Sequence, residues 1–223
     1  MRGVLSQRRH PAAGQEQVVI AATKTDRFRL LIVGVGGQGV LTVSRLVGEA
    51  AMACGVNAVV GQLHGMSQRG GSVRSTVLLG AGQTSFVGTG QADVVLGLEP
   101  LEVLRALPTM RADTRVVTST GRLVPHTLTQ QGRDYPEVEA MLDQIGQRVG
   151  EVIELDGPAL AAAAGAARTL NIVMLGALAG VGTLPEVIGD EALLAALENR
   201  CPPRFLESNR RAFALGKEIV RGS

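Results

Sequence analysis

The chain has 223 residues, 45% hydrophobic and 19% charged, which is the length and composition of one large or two small folded domains. Its five aromatic residues, Phe28, Phe86, Tyr135, Phe205 and Phe213, are too few and too scattered to form the stacking platform of a single-stranded nucleic-acid binder. The net charge of +2 is uneven: residues 1–29 sum to +4 and the remainder to −2, so no basic body exists to coat a phosphate backbone.

The excess comes from Arg2, Arg8, Arg9, Lys24, Arg27 and Arg29, set against Glu16 and Asp26. This segment lacks the apolar run of a signal peptide, and residues 1–27 are expected to be a disordered extension. Arg29–Val33 is a short β-branched apolar run that stops at glycine, the pattern of a buried strand. Gly34-Val35-Gly36-Gly37-Gln38-Gly39 follows. Val40, Val43, Leu46, Val47, Ala50, Ala51 and Cys54 then recur at helical spacing, with Gly55 placed to cap the helix and Cys54 expected to face the core. Asn57–Leu63 reads as a second strand. Strand, glycine loop, helix, strand is the opening of a parallel α/β sheet.

His64-Gly65-Met66-Ser67-Gln68-Arg69-Gly70-Gly71 is a polar loop bracketed by glycine. Ser72–Leu79 alternates and predicts a strand with one wet face; Gly80-Ala81-Gly82 turns into a short strand, Thr84–Val87. Asp93–Leu98 predicts a buried strand, Glu99-Pro100 the start of a helix to about Leu107, and Thr114–Thr118 another strand, with Arg122–Val124 pairing locally. Tyr135–Val149 has the apolar spacing of an amphipathic helix, Val152–Leu155 reads as a strand, and Asp156 is placed to N-cap an alanine-rich helix. The rest is helical: Asn171–Leu184, Glu191–Leu197, then Pro202-Pro203 and Phe205–Val220. The uncharged stretch Leu170–Leu184 has 15 residues, short of the roughly 20 that cross a bilayer. The expected fold is α/β: a Rossmann-like, mostly parallel sheet with flanking helices and a helical C-terminal portion, in a soluble cytoplasmic protein.

Cys54 and Cys201 cannot ligate an iron–sulfur cluster, which takes about four ligands, and they form no disulfide framework. No metal-ligand cluster, paired carboxylates or nucleophile–base pair is visible. Two constellations remain. Gly34, Gly36 and Gly39 fit G-x-G-x-x-G between a strand and a helix, where a helix N-terminus offers free N–H groups to an anion. A bound dinucleotide also wants an acidic residue at the end of the second strand, and Gly61-Gln62-Leu63-His64 has none. The second is the loop 64–71, in which Arg69 suits a carboxylate or phosphate; Ser67 lacks a nucleophile elbow. Gln38 is available to a ligand or a neighbouring subunit, while Asn171 and Asn209 fit local hydrogen bonding.

VGVGGQGVLTVSRLVGEAA (33–51), HGMSQRGGSVRSTV (64–77), ADVVLGLEPLEVLR (92–105), NIVMLGALAG (171–180) and RFLESNRRAFALGKE (204–218) together resemble the gamma subunit or domain of the 2-oxoacid:ferredoxin oxidoreductases. Within that family they are most similar to the small (beta) subunit of the indolepyruvate type. The resemblance runs from about Phe28 to about Val220 and assigns 28–223 to the gamma-type catalytic domain. It implies oxidative decarboxylation of a 2-oxoacid with transfer of the acyl group to coenzyme A and of electrons to ferredoxin. Thiamine diphosphate and [4Fe–4S] clusters would reside on a large (alpha) partner subunit, and this chain would bind no metal. Arg69 and Ser67 would lie nearest the reaction cleft. Gly34, Gly36, Gly37, Gln38, Gly39, His64, Gly70 and Gly71 would form the cofactor-binding loops. Two alternatives are a stand-alone NAD(P)-binding dehydrogenase and a non-catalytic binding module.

Overall fold

The structure is a computed structural model that describes residues 26–64, 70–124, 128, 132 and 134–222. Among the described residues six strands form one sheet: β1 (Phe28–Val35), β2 (Ala58–His64), β3 (Ser72–Leu79), β4 (Val94–Gly97), β5 (Arg115–Ser119) and β6 (Glu151–Leu155), in the order β2-β3-β1-β4-β5-β6. The pairs β1–β4, β4–β5 and β5–β6 are parallel. Only β3 runs against the rest, inserted between β2 and β1. Among the described residues the α-helices with defined bounds are α1 (Val40–Ala53), α2 (Pro100–Arg105), α3 (Val138–Gly146), α4 (Gly157–Ala163), α5 (Leu170–Gly180), α6 (Asp190–Arg200) and α7 (Pro203–Arg221).

The strand β1 is apolar because both of its faces are covered. Leu30 and Ile32 enter one core with Val43, Leu46 and Val47 of α1 and with α5 and α7. Leu31 and Val33 point the other way, into a second core with Val103 of α2 and Leu142 and Ile145 of α3. Alternate side chains of one strand thus feed two cores, as the period of two demands. The helix α1 ends as its sequence predicts. Gly55 takes φ 74°, and the N–H groups of Gly55 and Val56 donate to Met52 and Ala51 at 3.0 and 2.9 Å, a Schellman closure. Asp156 caps α4, its Oδ1 accepting from the Ala159 N–H at 3.0 Å.

The uncharged run near residue 170 is a helix packed from all sides. Asn171–Leu178 of α5 are buried, because the sheet covers one face and α7 another. The α5–α7 contact is backbone to backbone. A Cβ on Gly180 would sit 2.6 Å from the Lys217 carbonyl oxygen, and one on Gly176 or Gly216 would meet the Phe213 or Val173 carbonyl more closely still. Among the described residues no helix is long and apolar enough to cross a membrane.

Several expectations are corrected. Thr84–Val87 is not a strand. It crosses a sheet face, with Ser85 over Gly61 and Val87 seated in the second core. On β3, Thr76 of the expected wet face is buried, because the 84–87 segment crosses that side, leaving only Ser72 and Arg74 partly exposed. Arg122–Val124 forms no strand; Arg122 pairs with Glu137 at 3.3 Å instead. The helix predicted from Tyr135 begins at Val138, since Pro136 disfavours helical backbone at the residue before it. The helix predicted to reach Leu184 stops at Gly180, and Gly182 turns the chain with φ 67°. Cys54 is half-buried at the end of α1.

Candidate functional site

The helices that follow β1 and β4 leave on opposite faces of the sheet. Helix α1 packs in the first core and α2 in the second. The carboxyl ends of β1 and β4 therefore open a crevice, the position at which doubly wound sheets bind ligands. Gly34–Gly39 and Leu98–Pro100 face each other across it.

The glycine loop is closed by its own side chain. The Val35 N–H donates to Gln38 Oε1 at 2.7 Å, and Gln38 Nε2 donates to the Leu98 carbonyl at 3.0 Å. The Gln38 amide thus spans the crevice floor. Gly34 lies beneath it, and a Cβ there would come within 3.0 Å of Gln38, Leu98 and Val40. Gly37 is exposed, with φ 105° and nothing within 4 Å of where a Cβ would stand. Gly39 takes φ 87° at the N-cap of α1, which has no side-chain cap and no acidic residue in its first turn. An open, positively polarised helix end beside an uncluttered glycine is a fit for an anionic group.

The second loop meets the first through its glycines. The Gly36 N–H donates to the Gly71 carbonyl at 2.8 Å, and the Gly70 N–H faces the Gly36 carbonyl at 3.5 Å. Gly34, Gly36, Gly37, Gln38, Gly39, Gly70 and Gly71 are therefore brought to one place. Ser67 and Arg69 lie outside the described residues, as does the side chain of His64; the His64 backbone pairs with Val73. His126 is also outside them.

A dinucleotide arrangement is disfavoured by topology. Inserting β3 between β1 and β2 puts the end of β2 two strand spacings, roughly 10 Å, from β1.

The sequence also concealed a buried acidic network beside the crevice. Glu99 and Glu102 are both fully buried. Glu99 caps α2, its Oε2 accepting from the Glu102 N–H at 3.0 Å, and the Tyr135 hydroxyl donates to its other oxygen. Glu102 accepts from the Ser72 hydroxyl and pairs with Arg105 at 2.6 Å, and Arg74 donates to the Arg105 carbonyl at 2.8 Å. Ser72 directly follows Gly70-Gly71, so Glu102 fastens the exit of the second loop to α2. The expectation of no paired carboxylates is thereby corrected. The spacing Glu99-x-x-Glu102-x-x-Arg105 at a helix start is the signal that would have found them.

Burial pushes the Glu99 carboxyl above its ordinary range, and the neighbouring Glu102 adds to the effect. Burial also raises the Tyr135 hydroxyl, with the hydrogen bond to Glu99 behind it. A carboxyl raised in the folded state binds more protons there than in the unfolded chain. Its contribution is therefore present at low pH and is lost as pH rises through the folded value. We expect Glu99→Gln to remove a fall in the melting temperature of the full chain as pH rises above the ordinary carboxylate range. An unchanged slope in a thermal series across that window would count against this.

The described chain matches the family model for pyruvate ferredoxin/flavodoxin oxidoreductase over residues 29–219. The chain belongs to this oxidoreductase family. It is 36% identical over 189 residues, 85% of its own length and 95% of the relative's, to the indolepyruvate oxidoreductase subunit IorB of Methanothermobacter thermautotrophicus. Identity to the subunit of the same name from Archaeoglobus fulgidus is 33%, over 85% of this chain and 94% of that one. In fold it is similar to the keto/oxoacid ferredoxin oxidoreductase gamma subunit from Geobacter sulfurreducens, with a TM-score of 0.64 and 24% identity over 88% of this chain and 99% of that one. The expected α/β fold with its mostly parallel sheet and helical C-terminal portion agrees with both the structure and these oxidoreductase relatives.

Proposed function

We propose that this chain is the small subunit of an indolepyruvate-type 2-oxoacid:ferredoxin oxidoreductase in the cytoplasm, working with a large subunit that carries thiamine diphosphate and [4Fe–4S] clusters. The observation that carries the reading is the glycine-lined crevice with an uncapped helix end, in a chain 33–36% identical to indolepyruvate oxidoreductase subunits. In the overall reaction the bond from the 2-oxo carbon to the carboxylate breaks and releases carbon dioxide. A thioester forms with coenzyme A, the thiol proton is released, and two electrons pass to ferredoxin. The partner's thiamine supplies the carbanion chemistry.

The residues of this chain bind and orient. Gly37, with Gly39 and the first turn of α1 beside it, fits a phosphate of coenzyme A, because φ above zero at both glycines and open space at Gly37 let the backbone approach an anion. Gly34 and Gln38 hold that loop in shape. Gly36, Gly70 and Gly71 join it to the loop that bears His64, Ser67 and Arg69, and the Arg69 guanidinium is suited to a carboxylate or a further phosphate. The two cysteines of the chain do not suffice for a cluster, so electron transfer is assigned to the partner.

The test is an assay of viologen reduction dependent on indolepyruvate and coenzyme A. Activity is expected only when this chain is combined with its large subunit, and turnover by this chain alone would overturn the proposal. Within the complex, Arg69→Ala is expected to raise the KM for coenzyme A about tenfold, as one charge-assisted contact is worth. An unaltered KM and rate would remove Arg69 from the site.

A further inference from the structure

A cavity of about 280 Å³ opens on the helical side of the molecule, between α1, α5, α6 and α7. Its apolar wall is made by Leu46, Ile172 and Leu197, all buried, with Phe205 at the rim. Most of the polar groups around it are already engaged. Arg200 pairs with Glu49 through Nε at 2.6 Å, Ser208 donates to the Phe205 carbonyl at 3.0 Å, and Asn209 donates to the same carbonyl and to Cys201.

Two groups are not. Asn171 is 8% exposed and lines the cavity, and its amide has no hydrogen-bond partner among the described residues. This corrects the expectation of local bonding there. An amide offers two donors and an acceptor, and those of Asn171 are open to the cavity and not sealed in protein. Arg168 also lines the cavity and has no ion pair among the described residues. Asn171 abuts Gly39, the N-cap of α1, and Thr42 of that helix's first turn borders the same space. A cation and an amide, neither with a partner among the described residues, border an apolar cavity at the small end of ligand-binding pockets.

We propose that this cavity is a binding site for a small organic carboxylate with an apolar body the size of one ring. The body lies against Leu46, Ile172 and Leu197. The carboxylate accepts from the Asn171 amide and pairs with Arg168. Neither an uncharged ring nor a bare phosphate meets both requirements. This goes beyond the coenzyme A reading, which concerns the crevice at the ends of β1 and β4, and it needs no partner subunit.

The test titrates the full chain with phenylacetate, with phenylacetamide and inorganic phosphate as controls. Melting temperature and the backbone amide signals of Thr42 and Ser208 are followed. Phenylacetate is expected to raise the melting temperature by mass action and to shift both signals. Arg168→Ala and Asn171→Leu should each raise its Kd about tenfold, and phenylacetamide should bind at least that much more weakly. No response to phenylacetate up to roughly 10 mM would overturn the proposal. So would a response that phosphate reproduces and neither variant alters, which would mean an adventitious anion only. Arg168 is exposed, so Arg168→Ala decides the matter even if Asn171→Leu does not fold.

Discussion

Gly176→Ala and Gly216→Ala are each expected to lower the melting temperature of the full chain by roughly 6–12 °C, from about 3 kcal/mol of overpacking in a domain of this size. The reason is where the new methyl group goes. At most core glycines a methyl displaces a side chain that can rotate away. Here it meets the main-chain carbonyl of the facing helix, Phe213 for Gly176 and Val173 for Gly216. Relief requires α5 and α7 to separate, and both belong to the larger core. The control is Gly146→Ala at the end of α3, where nothing lies within 4 Å of the new atom and φ is not in the left-handed region. That change is expected to be neutral or mildly stabilising, because alanine restricts the unfolded chain. Differential scanning calorimetry of the three variants checks the ordering. A loss at residue 146 equal to those at 176 and 216 would show that helical glycine, and not close approach, sets the effect.

The second large effect is expected at Gly39. Its φ of 87° is costly for any L side chain, and a Cβ would stand 2.5 Å from the Asn171 amide nitrogen and 2.9 Å from its Cγ. Gly39→Ala must therefore shift the N-terminus of α1, move Asn171, or both. Within the proposed complex we expect the KM for coenzyme A to rise tenfold or more, from about 1–2 kcal/mol of backbone strain transmitted to the anion site. Gly37→Ala provides the comparison. It has the strain of a φ of 105° but meets no neighbour, so its effect should be the smaller of the two. Initial-rate kinetics at varied coenzyme A, with size-exclusion chromatography to verify assembly, would check both. Gly39→Ala with an unchanged KM would separate the loop from coenzyme A.

The parts of the fold most legible in the sequence were those whose signals are local. Leu30–Val33 is a run of four apolar residues ending at glycine, and it became the central strand. Gly55 and Asp156 marked a helix end and a helix start by chemistry that acts within one turn. The misread segments depended on distant partners. Thr76 looks solvent-facing until the 84–87 segment is laid across its side of the sheet. Thr84–Val87 has the composition of a strand, but β3 before it and β4 after it are each paired on both sides, and it lies across a face instead.

The candidate site divides in the same way. The glycine loop announced itself by spacing, with Gly39 at the helix start. The Glu99–Tyr135 contact did not, because it joins residues 36 positions apart. Nor did the free amide of Asn171, since a polar residue at a helix start ordinarily finds a local partner.

The backbone contact between α5 and α7 also bears on how the protein is made. Synthesis proceeds from the N-terminus at about 5–20 residues per second. The strands and the glycine loop are complete by Leu155, and the apolar helix α5 follows at Leu170. Its cover, Ala212, Phe213 and Gly216, emerges from the ribosome last among the elements of the core. A chain cut short in the Pro202-Pro203 region would lack that cover altogether, and the fragment is not expected to fold as the full chain does.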